Sequence, residues 1–275
     1  MSKIGVLMVV DHNTDMKEQL NVIKGYGFEC CQLSTWDTSL YCDEKAAELK
    51  AAIEETGVEV STVWGGWSGP KEWNFTGGPA TLGLVPPAYR MNRAEELIRA
   101  AKFAAAAGVT RVATHAGFLP ENMSDPEYSG VLSILRYIIK EYKKLDIDFL
   151  FETGQETPIT LLRYIEALEA DNVGINMDTA NLILYGKANS ADAITVFGKY
   201  VKDTHIKDGF YPTTGEKLGH EVKVGEGLAN IPEVIKRLKA VGYEGNYIIE
   251  REIKGDEQTR DILDTKKYLE EILGT

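Results

Sequence analysis

Four ionisable residues each close a short apolar run: Phe151-Glu152, Met177-Asp178, Thr204-His205-Ile206 and Ile249-Glu250. They lie 26, 27 and 45 residues apart. Three carboxylates and one imidazole brought together repel one another and stay partly protonated unless positive charge lies among them, and a divalent cation meets that need. A donor set of mostly hard oxygen with one nitrogen, leaving coordination positions open, suits Mn²⁺, Mg²⁺ or Co²⁺ better than a closed structural zinc. Taken singly, a strand-end Glu is more often solvated and a lone His more often a hydrogen-bonded core residue. The metal reading therefore stands or falls on whether the fold brings all four together.

The chain pattern says how it would. Short β-branched or aromatic runs alternate with longer stretches that repeat apolar residues every three or four positions. The predicted strands are Ile4–Val10, Glu29–Ser34, Glu59–Trp64, Arg111–His115, Asp148–Glu152, Val173–Asp178, Val201–Ile206 and Tyr247–Glu250. The predicted helices fall near Met16–Lys24, Glu44–Thr56, Arg90–Ala107, Asp125–Lys144, Pro158–Ala170, Ser190–Tyr200, Ile231–Val241 and Asp256–Leu273. Gly25 or Gly27, Gly57, Gly108 and Gly242 close helical segments just before strands begin, as helix-ending glycines do. Eight βα units without a linker-like break predict one (β/α)8 TIM barrel over residues 1–275. The first strand runs into Asp11-His12-Asn13 with neither GxGxxG nor a P-loop, against an open dinucleotide-binding sheet. In a closed barrel the ends of strands five to eight converge at one mouth. The two long connections, 65–88 and 207–230, follow strands three and seven and are expected to cover that mouth.

Further polar and aromatic residues share this predicted mouth. Lys207, two residues beyond His205, would share its face and hold a hydroxyl, phosphate or enolate oxygen. His115 and His12 end strands four and one and are expected to touch substrate. Gln155 and Glu156 are read as supporting or helix N-terminal residues, where negative charge suits the helix dipole. Trp64, Trp67, Trp73 and Phe75 crowd the third loop; such rings stack on the C–H faces of sugars, or serve a subunit contact. Trp36 and Trp64 are assigned to the pocket.

The 275-residue composition narrows the classes. With 44% hydrophobic residues it has enough apolar material for a sizeable core, and no apolar run is long enough to span a bilayer. The formal net charge of −12, with no Lys/Arg cluster, argues against nucleic acid and predicts a small-molecule partner. Three cysteines, without a CxxC pair, fit a reducing compartment, so the chain is expected to be cytoplasmic.

The segments FETGQETP (Phe151–Pro158), INMDTAN (Ile175–Asn181), DTHIKDG (Asp203–Gly209), Val224–Leu238 and GYEGNYIIERE (Gly242–Glu252), with THAGF and the Gly78–Arg90 loop, resemble the xylose-isomerase-like superfamily of sugar isomerases and epimerases. The resemblance covers essentially the whole chain. In ketose 3-epimerases of that superfamily, strand ends five to eight bind one divalent metal. The resemblance thereby assigns Glu152, Asp178, His205 and Glu250 as ligands of one ion per chain, Mn²⁺ first, with Co²⁺, Mg²⁺ or Zn²⁺ as alternatives. Those enzymes carry a substrate-binding His three residues after the metal-binding Asp and an Arg six after the metal-binding His. Here the positions are Asn181, retained as a substrate contact, and Tyr211, so the resemblance implies the fold and metal site but not the identity of the sugar. The extra ligands of the apurinic endonucleases that share the barrel are absent.

Metal-assisted withdrawal of charge from a ketose carbonyl makes the neighbouring C–H acidic, and a carboxylate can remove that proton to give an enediolate. Glu152 and Glu250, as catalytic pair, would invert a carbon if they flank it, or move a proton between adjacent carbons in an aldose–ketose isomerase. The sugar is free or phosphorylated. The alternative reading is a metal-dependent lyase or hydro-lyase on a keto-sugar or 3-keto-glycoside; the least favoured is a non-catalytic carbohydrate-binding barrel. A homo-oligomer is compatible with the aromatic loop.

Overall fold

A computed structural model describes residues 2–274. Eight parallel strands close into a barrel: β1 (Ile4–Val9), β2 (Cys30–Thr35), β3 (Glu59–Gly65), β4 (Arg111–Thr114), β5 (Asp148–Glu152), β6 (Val173–Asp178), β7 (Val201–Ile206) and β10 (Tyr247–Ile249). β1 pairs with both β2 and β10, which closes the ring. The main outer helices are α1 (Met16–Gly25), α2 (Asp43–Thr56), α4 (Pro87–Ala107), α5 (Pro126–Lys143), α6 (Pro158–Leu168), α8 (Ser190–Phe197), α9 (Ile231–Ala240) and α10 (Asp256–Leu273). Two single-turn helices, α3 (Gly78–Thr81) and α7 (Asn181–Leu184), lie in the loops after β3 and β6. The predicted single TIM barrel is what the chain forms.

Differences from expectation are local and explicable. α4 starts at Pro87 rather than Arg90, because proline at the first helical positions has its φ already set and lacks the N–H that would go unpaired there. β4 stops at Thr114 and β10 at Ile249, so His115 and Glu250 stand one residue past their strands; the Glu250 N–H still reaches Ile206 O at 3.2 Å. The seventh connection is no open loop. It carries an antiparallel hairpin, β8 (Asp208–Phe210) with β9 (His220–Val222), whose three-residue strands are too short and too polar for periodicity to reveal.

Most of the apolar core lies between strands and helices, whereas the bore holds only a small cluster of Trp64, Ala113 and Leu150, with Trp36 packed against it. Polar side chains occupy the rest of the bore. Two register shifts arrange them: Cys31 pairs with Val60 but Gln32 with Thr62, and Ile175 pairs with Val201 but Asn176 with Asp203. Each shift takes one residue, Ser61 or Lys202, out of the ladder, and such irregularities re-aim side chains. Ser61 and Thr62 consequently both donate to Asp203 Oδ2, at 2.7 and 2.8 Å. Lys202 pairs with Asp148 at 2.7 Å. Gly5 is required where β1 passes its neighbours, since a Cβ there would meet Ile248 Cδ1 at 2.6 Å and Cys30 O at 2.7 Å.

Both long connections are anchored by buried charges. The Arg93 guanidinium donates to four carbonyls of the third loop, those of Ser68, Pro70, Thr81 and Gly83, at 2.7 to 3.1 Å, and lies 3.8 Å over the Trp67 ring. Asp208 performs the complementary task in the seventh. Its carboxylate accepts the N–H groups of Gly209, Gly225, Gly227 and Ala229 at 2.9 to 3.0 Å. Gly227 belongs there because a Cβ would fall 2.2 Å from Asp208 Oδ1.

Candidate metal centre and its cavity

Strand ends five, six, seven and eight deliver Glu152, Asp178, His205 and Glu250 to one point. One ligand-type atom from each lies within 4.8 Å of all the others. His205 Nδ1 hydrogen bonds Glu152 Oε1 at 3.2 Å and stands 3.1 Å from Glu250 Oε2. Asp178 Oδ1 accepts the N–H groups of Ala180 and Asn181 at 2.7 and 2.8 Å, which turns Oδ2 toward the cluster. Asp178 Oδ2 and Glu250 Oε2 are buried with no hydrogen-bond partner. Buried oxygens left unpaired are costly unless something electropositive compensates them. A divalent cation is such a group, and the donor set fits one.

A hydrogen-bond circuit orients the cluster. Trp64 Nε1 and Asn176 Nδ2 donate to Glu152 Oε2 at 2.5 and 3.0 Å, leaving Oε1 for the centre. Because a carboxylate only accepts, the direction of the whole chain follows. Asn176 gives its N–H to Glu152, its Oδ1 accepts Gln32 Nε2 at 2.9 Å, and Gln32 Oε1 is left to accept His205 Nε2–H at 2.8 Å. His205 therefore presents Nδ1 inward. This is how metal-binding imidazoles are held. Gln32 and Asn176 have only a weak signal in the sequence: Gln32 interrupts an apolar strand with an amide and Asn176 stands two residues before Asp178. Both adjoin the register shifts.

The protein's own charges respond to this crowding. Burial pushes the Asp178 carboxyl well above the usual range, with Glu250 and Glu152 adding to the rise against Lys207 and His205. For Glu152, burial is outweighed by His205 and His115, so its carboxylate is held below the usual range. Glu250 is likewise held low by Lys207 and His205 against burial. Burial would lower His205, but Glu152 and Glu250 prevail and raise it well above the ordinary imidazole value. Bringing carboxylates together thus creates strong demand for positive charge.

Above the cluster opens a cavity of about 310 Å³, lined among others by Ser34, Trp36, Trp64, His115, Asn181 and Glu252. His115 reaches Glu152 Oε1 at 3.7 Å with Nε2, and burial keeps its pKa below the usual value. Asn181 Nδ2 stands 3.4 Å from the same oxygen and its Oδ1 3.5 Å from Lys207 Nζ. Lys207 is buried beneath, at 2.7 Å from Glu252, 3.5 Å from Glu250 and 3.7 Å from Asp178. Trp36 packs against Trp64, Trp67 and Trp73 at centroid distances of 4.8, 5.2 and 5.9 Å.

Some expected contacts are placed elsewhere. His12 is not among the cavity-lining residues: its ring meets Ser39 O at 3.3 Å, because strand one ends at Val9 and the chain turns toward the second loop. Trp67 is fully buried under Arg93 and is not among the cavity-lining residues, packing instead behind Trp36. Glu156 is buried and burial pushes its carboxyl up to about 8, which works against the dipole-matched charge expected just ahead of α6. Trp73, one of the third-loop aromatics, lines the cavity, as do Glu252 and Tyr185. Of the last two, only the Glu252 position, two past Glu250, has a periodic signal in the sequence.

A family profile described as "Xylose isomerase-like TIM barrel" matches residues 20–272. A crystal structure of a xylose isomerase domain protein from Planctomyces limnophilus superposes with a TM-score of 0.90 at 28% identity, covering 98% of this chain and 97% of that one. The 3-keto-D-glucoside 4-epimerase of E. coli has the same fold, with a TM-score of 0.74 at 19% identity, 98% of this chain and 100% of that one. An uncharacterised protein of Methanocaldococcus jannaschii is 28% identical over 172 residues, 58% of this chain and 56% of that protein's length. The chain belongs to the xylose isomerase-like TIM barrel family.

Proposed function

We propose that this barrel is a divalent-metal-dependent isomerase or epimerase that moves a proton next to the carbonyl of a ketose. The observation that carries the reading is the convergence of Glu152, Asp178, His205 and Glu250, with two buried carboxylate oxygens, Asp178 Oδ2 and Glu250 Oε2, that accept no hydrogen bond. The E. coli protein of the same fold is an epimerase of a keto-sugar, which belongs to this reaction class.

These four residues would hold the ion. When bound, a divalent cation supplies Lewis acidity that makes the hydrogen beside a carbonyl removable. Glu152 and Glu250 are the carboxylates that take and return the proton, each with an oxygen close to His205 Nδ1, at 3.2 and 3.1 Å. His115 supplies an N–H group for a substrate oxygen, Asn181 fixes a hydroxyl, and Trp36, Trp64 and Trp73 exclude water and stack on C–H faces, while Lys207, outside the cavity lining and paired with Glu252, holds the carboxylates from beneath. Mn²⁺ is the proposed native ion.

The test uses metal-loaded protein in D₂O with candidate ketoses. Recovered sugar should carry deuterium on the carbon beside the carbonyl, with an inverted centre for an epimerase and an aldose for an isomerase. An unsaturated keto-sugar with a departed group would mark the lyase alternative. Glu152→Gln and Glu250→Gln should each lower turnover by about 10²-fold or more while elemental analysis shows retained metal. Product without solvent deuterium, after correction for internal return, rules out the two-carboxylate route.

A further inference from the structure

We infer that the cavity takes an uncharged, unphosphorylated sugar, an inference that rests on the sugar-processing reading above. Three independent features of the mouth converge on it. A phosphate needs cations or free backbone N–H groups, and in TIM barrels the usual provider is the set of loops after the last strands with a helix N-terminus. Here that provider is already engaged. The glycine-bearing segment between β9 and α9 turns the N–H groups of Gly225, Gly227 and Ala229 inward, and all three, with that of Gly209, are taken by the Asp208 carboxylate. Asp208 is buried, so the side chain fills from within the position a phosphate would take from outside.

The cavity wall offers no substitute. Among the described residues lining it there is neither Lys nor Arg, while three carboxylates, Glu152, Glu250 and Glu252, face it. The nearest ammonium, Lys207, lies beneath them and is matched to Glu252 at 2.7 Å, with Glu250 and Asp178 at 3.5 and 3.7 Å. Lys71 lies 4.8 Å from the Trp36 ring but outside the lining. A dianion entering this field meets repulsion that a bound divalent cation, already shared by three carboxylates, offsets only in part.

What the wall offers besides its carboxylates is largely apolar. Trp36, Trp64, Trp73, Leu184, Tyr185 and Leu218 all line it, and the volume of about 310 Å³ lies at the lower end of small-molecule sites, roughly 300 to 1,000 Å³. Rings against C–H faces, with His115 and Asn181 for hydroxyls, match a neutral sugar.

The test compares matched pairs on metal-loaded wild-type protein: D-fructose, D-tagatose and D-psicose, each against its 6-phosphate. Solvent deuterium incorporation is followed by NMR. Free sugar should exchange, and the phosphate should lower kcat/KM at least tenfold in every reactive pair. A phosphorylated partner that exchanges with less than a tenfold loss, or faster, overturns the inference and leaves the proposed reaction standing. If no member of any pair exchanges, the proposed reaction fails for these ketoses, and calorimetry with inorganic phosphate decides the inference separately. Saturable phosphate binding with Kd below 10 mM that persists after chelation, so that it is not seated on the metal, overturns it; no such binding supports it.

Discussion

At the scale of single residues, the centre depends on side chains that touch no substrate. Gln32 is the clearest case, since it alone receives the outward N–H of His205 and passes the orientation on through Asn176 to Glu152. Gln32→Leu keeps the volume and removes the acceptor; metal affinity should fall by about 10- to 100-fold, read by competition with a chromophoric chelator. An affinity unchanged within twofold would show that packing alone orients the imidazole. Glu156 makes a second residue-level prediction, on stability. Its folded pKa of about 8 exceeds the ordinary value of 4.5 because burial disfavours the charge. Below the ordinary value both folded and unfolded chains hold the proton and nothing is lost. Between the two values the unfolded chain gives up its proton first, so stability falls with rising pH by up to about 1.4 kcal/mol per pH unit. Glu156→Gln removes this dependence. The variant should match wild type near pH 4.5 and unfold at a higher temperature than wild type by pH 8; equal melting curves at both pH values would place the carboxyl in a more polar setting than its burial implies.

At the scale of elements, a charged side chain anchors each long connection. A sequence reading locates 65–88 and 207–230 by their glycines, prolines and lack of period, but it cannot see that Arg93 lies under one and Asp208 under the other, because both anchors are contacts with backbone atoms. Removing the Asp208 carboxylate orphans four N–H groups. Asp208→Ala should therefore cost on the order of 3 kcal/mol and speed amide exchange at Gly225, Gly227 and Ala229 while exchange in β5 and β6 stays slow. Uniform acceleration throughout the barrel would mean that the seventh connection is integral to the global folding unit. The β8–β9 hairpin also ties that connection to the site, since Glu221 on β9 accepts the Glu252 N–H at 3.1 and 3.2 Å and pairs with Arg251 at 3.2 Å.

At the scale of the whole molecule, the barrel brings like charges together, so its stability is linked to what neutralises them. A cation at 100 times its dissociation constant would stabilise the folded state by about 2.7 kcal/mol. For a chain of this length, chelation should lower Tm by on the order of 5 to 10 °C, and re-addition of Mn²⁺ should restore it. A melting curve indifferent to verified metal removal would uncouple the cluster from the fold. Among the described residues no helix is long and apolar enough to cross a membrane. What the sequence by itself determined is the periodic part. Alternating strand and helix repeats, helix-ending glycines and an ionisable residue at four successive strand ends required a closed parallel barrel with Glu152, Asp178, His205 and Glu250 at one mouth, because strand order and direction follow from local pattern and connection length. Tertiary structure alone decided the rest. Gln32 and Asn176 meet across 144 positions of chain through two register shifts that leave no compositional trace. His12 turns to Ser39 because β1 ends sooner than its apolar run, and the Glu156 carboxyl is pushed up to about 8 because the folded chain buries it. Periodicity records which face of an element is buried; it carries no information on which buried groups touch, and here those contacts set the orientation of the centre and the charge of its cavity.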